Sequence, residues 1–133
     1  MKETIMLFHI EDSRRLSAIR RALLPLKLRV KVISPEEYCQ PVGYLAGAPD
    51  IAPVQSTGDT GEFSGEMMVM AWLSSRRVDQ VLAALRKAGV GRINYKAVIT
   101  PENQYWDCRK LYEELKKEHE AFTAAQEAAS DPV

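Results

Sequence analysis

Cysteine is nearly missing from this 133-residue sequence, where Cys39 and Cys108 stand alone and far apart. Two lone thiols exclude a disulfide framework and a CxxC pair, and they fit the reduced thiols of a cytoplasmic protein. Histidine is equally scarce, with His9 and His119 only. A metal site needs three or four converging ligands, and His9, Cys39, Cys108 and His119 show no metal-ligand spacing, so no metal is expected. Cys108 and His119 would stand roughly 16 Å apart along one helix, too far to work as nucleophile and base, and Cys39 with His9 has nothing to support it. Long apolar runs are also lacking. No stretch reaches the roughly 18 residues of a membrane span, and the opening MKETIMLFHI is interrupted by His9 and then charge, too short for a secretory leader. The protein is therefore expected to stay in the cytoplasm. Neither GxGxxG nor GxxxxGK[ST] occurs, which removes the phosphate-cradling loops. Net charge is formally zero, with 18 basic and 18 acidic residues, so no whole-molecule field draws the chain to nucleic acid or to an anionic membrane.

What is present is the composition of an ordinary globular domain, 46% apolar and 27% charged, in a chain long enough for a single core. Charge is uneven along it. From Glu11 to Lys31 seven basic residues face two acidic ones, and from Glu113 to Asp131 six acidic residues face two lysines. A basic face able to meet an acidic helix, within or between chains, follows.

One hexapeptide is written nearly twice, VISPEE at 32–37 and VITPEN at 98–103. Upstream, Ser13-Arg14-Arg15 matches Ser75-Arg76-Arg77, and Leu16, Ile19 and Leu23 match Val78, Val81 and Leu85 at a spacing of 62, against 66 for the hexapeptides. Each copy reads as an apolar run, a helix with apolar positions at i, i+3 and i+7, and a β-branched run closed by Ser/Thr-Pro-Glu: strand, helix, strand. Asp12 or Ser13 and Ser74 or Ser75 supply N-caps; Pro25 breaks the first helix, and Gly89 with Gly91 ends the second. TIMLFHI and EMMVMAWL are apolar throughout, as strands covered on both faces are, whereas RVKVIS and INYKAVIT alternate, as edge strands do. The pattern predicts an α+β, ferredoxin-like split βαβ sheet of order 4-1-3-2 with an added C-terminal helix; a flavodoxin-like α/β sheet is the alternative. The domain divides into a first βαβ unit over 1–48, a flexible Pro- and Gly-rich loop over 49–65, a second unit with the terminal helix over 66–122, and a frayed tail over 123–133. The terminal helix is expected from Gln104 to Gln126, with Cys108, Leu111, Tyr112, Leu115, His119 and Phe122 on one stripe that covers the second face of the sheet or docks on another subunit.

The sequence contains no evident catalytic constellation. The basic first helix, with Arg14, Arg15, Arg20 and Arg21, reads as a solvated face, and the third strand lacks the stacking aromatics of an RNA-binding sheet. The densest polar cluster is KAVITPENQYW, 96–106. There Lys96, Thr100, Asn103 and Trp106 are placed to meet a carboxylate, a phosphate or a partner's acidic side chain at the first turn of a helix.

The KAV-TP-N--W string and the LYEELKKEH that follows resemble a small, uncharacterised bacterial domain family, over about Glu66 to Phe122. The resemblance implies a small bacterial cytosolic protein with no established activity. The residues themselves point to a non-enzymatic binding or regulatory module without a cofactor. Expected partners are a second copy of the chain, a small anionic ligand or a protein. The alternatives are a small enzyme acting on a nucleotide or phosphorylated metabolite, with the 49–65 loop as its lid, and nucleic-acid binding.

Overall fold

Thr4–Phe8 (β1) and Met67–Ala71 (β3) are buried at every position and pair antiparallel at the centre of a four-stranded sheet. Arg29–Ile33 (β2) runs parallel to β1 and Tyr95–Val98 (β4) parallel to β3, each on an outer edge. The computed structural model describes residues 1–55, 63 and 65–130. Helix Ser13–Leu23 (α1) links β1 to β2, and Ser75–Ala88 (α3) links β3 to β4, so both halves are strand, helix, parallel strand. Among the described residues no helix is long and apolar enough to cross a membrane.

The sheet order is β2-β1-β3-β4, which corrects the expected ferredoxin-like 4-1-3-2. Both orders share the inner antiparallel pair; they differ in which inner strand each outer strand joins. Here β2 joins β1 and β4 joins β3, so the two βαβ units are intact and not split. An alternating strand such as RVKVI buries the same side chains beside either neighbour, and only the connection decides. After α1 a 3₁₀ turn over Leu24–Leu26 ends at left-handed Lys27 (φ 57°), and Arg29 N donates to Glu3 O at 3.1 Å, which sets the chain down beside β1. The mixed strand directions also exclude the all-parallel flavodoxin-like alternative.

Helices start and stop where local chemistry dictates. The Asp12 carboxylate accepts from the amides of Arg14 (3.0 Å) and Arg15 (3.5 Å), and the Ser74 hydroxyl accepts from Arg77 N at 3.2 Å. Gly89, at φ 66°, closes α3 with its amide on the Arg86 carbonyl, a conformation that costs a side-chain-bearing residue more.

The repeated Ser-Arg-Arg has a structural purpose. Arg15 of the first half donates Nε to Val90 O at 2.7 Å and Nη2 to Arg92 O at 3.1 Å, and pairs through Nη1 with Glu66, all in the second half. Arg77 of the second half grips Glu3 with two 3.0 Å bonds and the Leu26 carbonyl at 2.6 Å, all in the first half. Each arginine thus clamps the start of the other half's inner strand to the end of the other half's helix. The planar guanidinium fork suits this work, and lysine would supply only one point charge.

Side chains alternate across the strands and build two cores. Ile5, Leu7, Met68 and Met70 face α1 and α3, where Ile19, Leu23, Val81 and Leu85 meet them. Met6, Phe8, Met67, Val69 and Ala71 face the other layer, made by Val42–Leu45 (α2), Cys108–Ser130 (α4), Tyr38 and Phe63. A full burial of each such methionine, leucine or isoleucine contributes about 1.5–3 kcal/mol. The terminal helix does lie over the second face, the one that carries Met67 and Val69, whereas Met68 and Met70 belong to the first.

The terminal helix begins later and runs further than its stripe suggested. Asp107 caps it, Oδ1 accepting from Lys110 N at 2.7 Å, so the helix starts at Cys108 and residues 103–105 form a separate 3₁₀ turn. Cys108, Leu111 and Tyr112 are buried, whereas Phe122 is exposed, and α4 continues to Ser130. Residues 131–133 of the expected tail lie outside the described residues, as do 56–62 and 64 of the expected loop. On the loop's described flanks, Ile51 and Phe63 are buried, and the Gln40 amide clasps Val54, accepting from its N at 2.8 Å and donating to its O at 3.0 Å.

Candidate functional site

The segment that follows β4 explains most of the KAV-TP-N--W string by itself. Thr100 N donates to Asn103 Oδ1 at 2.8 Å, and Asn103 N donates to Thr100 Oγ1 at 3.0 Å, a reciprocal lock across one turn. Asn103 Nδ2 donates to the Val98 carbonyl at 3.0 Å. Ile99 N bonds to Met70 O, so backbone groups of 97 and 99 address β3, and those of Val98 address the open edge of the sheet. Asn103, which is buried, therefore covers an edge carbonyl that another strand could otherwise recruit.

The remaining two expected residues keep freer heads. Lys96 is exposed on β4, donates Nζ to the Ile93 carbonyl at 2.8 Å, and titrates below the ordinary lysine value because of partial burial and then the nearby Arg92 charge. Trp106 is tied by its backbone, accepting from Val42 N at 2.8 Å, while its ring carries the Lys110 ammonium at 4.8 Å from the centroid. Lys96, Thr100, Asn103 and Trp106 line one surface cavity of about 260 Å³, to which α4 adds Leu111, Leu115, Glu114 and Glu118. The helix-terminus argument for an anion does not carry over. The first turn of α4 lies at 108–111, past Asn103 and Trp106, and the Asp107 carboxylate already caps it through Lys110 N.

Gly43 holds this turn against the rest of the molecule. A Cβ there would fall 2.8 Å from the Gln104 carbonyl oxygen and 2.6 Å from Ile51 Cδ1, so only glycine lets α2 approach the 103–105 turn this closely.

Other polar features were invisible in the one-dimensional pattern. His9 and Trp72 both follow the last residue of an inner strand and both have left-handed backbones, at φ 61° and 64°. Two equivalent strand-to-helix junctions thus carry the same strained backbone conformation, a cost of order 1–3 kcal/mol each. Trp72 is held by an indole bond to Ala46 O at 2.9 Å. His9 Nδ1 lies 3.8 Å from Glu11, its ring sits edge-on to Tyr38 and Phe63 at 5.3 Å, and Nε2 is buried with no hydrogen-bond partner among the described residues. From there a chain of ring contacts crosses the sheet face through Tyr38, Phe63, Tyr112 and Tyr95 to His119. Cys108 is a poor nucleophile candidate, since it is fully buried and its pKa is pushed far up by that burial. Among the described residues no group of three or more His, Cys, Asp or Glu is placed to hold a metal ion.

Residues 66–122 match the family model described as Domain of unknown function (DUF3783). The match covers the segment that the KAV-TP-N--W resemblance pointed to. It takes in β3, α3, β4, the 103–105 turn and most of α4, and with them the whole cavity lining. Outside the matched segment lie β1, α1, β2 and α2, which contribute half of the sheet and the Gly43 contact. No curated protein and no solved structure matches the chain.

Proposed function

We propose that this chain is a non-enzymatic binding or regulatory module that recognises a segment of a partner protein in the cavity between β4, the 103–105 turn and α4. The observation that supports the reading is the composition of that cavity. A lysine, an indole and two glutamates surround leucine side chains, on a frame that Thr100 and Asn103 hold rigid. Charges of both signs beside an apolar floor suit a peptide carrying a basic and an acidic side chain around an apolar one. They suit a simple anion less, because Glu114 and Glu118 oppose it. Rigidity matters because a preformed site spends less ordering entropy on binding. Thr100 and Asn103 serve as frame in this reading, and Lys96, Trp106, Glu114 and Glu118 make the contacts.

Selection from a random peptide display library tests it. Selected peptides should combine both charges with an apolar residue, quench or shift Trp106 fluorescence, and lose about tenfold or more in affinity on Lys96→Glu or Glu118→Lys. Peptides that bind both variants as tightly as the parent would overturn the reading.

A further inference from the structure

On the other side of β4, between the end of α3 and the start of the strand, lies a larger cavity of about 400 Å³. Its wall is apolar, with Leu82, Leu85 and Ile93, and its charged lining is Arg86, Arg92 and Lys96. Among the described residues no acidic side chain lines it. We propose that this cavity binds a small amphipathic anion, an apolar body with one carboxylate or phosphate head, the head held by Arg86, Arg92 and Lys96.

Charge complementarity favours this occupant over a neutral one. The α3 C-terminus contributes roughly half a negative charge to the site, whereas the three side chains contribute full positive ones, so the site is cationic in balance. Arg86 and Arg92 have no acidic partner among the described residues, in contrast to Arg15 and Arg77, which are committed to Glu66 and Glu3. The Lys96 ammonium is disfavoured first by partial burial and then by the Arg92 charge; an anion between the two cations would offset the second of these. The loop that shapes the mouth is pre-organised. Arg15 holds the Val90 and Arg92 carbonyls, and Gly89 and Gly91 turn it with φ of 66° and 86°. The cavity volume and its mix of apolar wall with few charged groups are those of small-molecule sites. Lys96 also borders the peptide cavity, but this inference rests on Arg86 and Arg92, which do not.

The test is titration of the full chain with decanoate and with decyl phosphate, followed by calorimetry and by amide chemical shifts. Decanol and acetate serve as the body-only and head-only controls. Saturable binding of at least one amphipathic anion is expected, with shifts centred on Gly89, Gly91 and Arg92, and the tighter of the two identifies the head group. Decanol and acetate should each bind at least about tenfold more weakly, because a hydrogen-bonded charge and the apolar body contribute separately. The exposed double variant Arg86→Gln/Arg92→Gln, checked for an unchanged melting temperature, should lose about tenfold or more in affinity while keeping its response to peptides selected on the other cavity. Equal binding of decanol, unchanged affinity in the double variant, or shifts centred away from residues 89–93 would overturn the proposal.

Discussion

Replacement of Asn103 separates a structural asparagine from a ligand-binding one. Its side chain makes two hydrogen bonds, accepting from Thr100 N at 2.8 Å and donating to Val98 O at 3.0 Å. Alanine removes both and strands their partners. A stranded buried backbone group costs about 1–3 kcal/mol, but Thr100 and Val98 are exposed residues whose backbone groups water can partly reach, which places each at the low end of that range. Asn103→Ala should therefore destabilise the fold by about 2–3 kcal/mol, and for a chain of this size that lowers the melting temperature by roughly 10 °C. Asn103→Asp sharpens the test through its pH dependence. An aspartate keeps the acceptor for Thr100 N but turns a carboxylate toward the Val98 carbonyl, so its pKa in the fold rises above the unfolded value of about 3.9. A raised carboxyl pKa means that the protonated acid, which can donate to Val98 O, is the form the fold prefers. The variant's deficit relative to the parent, measured at matched pH, should then be largest at neutral pH and shrink as pH falls through the raised value. Urea or thermal unfolding by circular dichroism at several pH values reads both effects. A loss below about 0.5 kcal/mol for alanine, or a pH-independent deficit for aspartate, would refute the assignment of Asn103 to the turn and edge carbonyl.

Four further outcomes follow from the same geometry. Arg77→Lys keeps the charge but loses the fork on Glu3 and the Leu26 carbonyl, and it should lower the urea midpoint measurably, where the same change in an ordinary exposed ion pair would leave it unmoved. Gly43→Ala gains up to about 1 kcal/mol of helix propensity but drives a methyl into the Gln104 carbonyl; a net loss of about 1–2 kcal/mol is expected in the same assay, with a change in Trp106 emission as the turn is displaced. Cys108 should resist a thiol reagent in the native state while Cys39 reacts, and above the ordinary thiol pKa of about 8.5 unfolding should become easier with each pH unit, since the unfolded thiol ionises and the buried one does not; the Cys108→Ala variant should lose that part of the slope. Arg92→Gln should move the Lys96 titration, followed by ammonium NMR, back toward the ordinary lysine value, because one of its two depressing influences is gone.

Local patterning carried the element types, the inner and outer strands, the caps at Asp12 and Ser74, and the break after α1, because each depends on a few neighbouring residues and on periodicity. The repeated Ser-Arg-Arg was legible as a duplication, but its purpose was not, since Arg15 and Arg77 each act on a residue in the opposite half of the chain. The candidate site was legible in the same limited way. Lys96, Thr100, Asn103 and Trp106 were picked out as polar residues in an apolar setting, and they do border one cavity, yet Glu114 and Glu118 reach it only because α4 folds back over β4. The start of α4 was placed too early, at Gln104, because the apolar stripe alone does not mark a boundary; the Asp107 cap and the bond from Cys108 N to Tyr38 O set it at Cys108.

Which strands exist was thus settled by side-chain chemistry along the chain, and which strands touch was settled only by tertiary structure. Pairing β2 with β1 or with β3 leaves the hydrophobic pattern of every element unchanged; the difference lies in where the crossover ends, through Lys27 and the Arg29–Glu3 bond. The cationic cavity at the end of α3 has the same origin. Arg86 and Arg92 carry no site signal along the chain, and they border one space with Lys96 because two left-handed glycines and the reach of Arg15 from the other half bend the chain there.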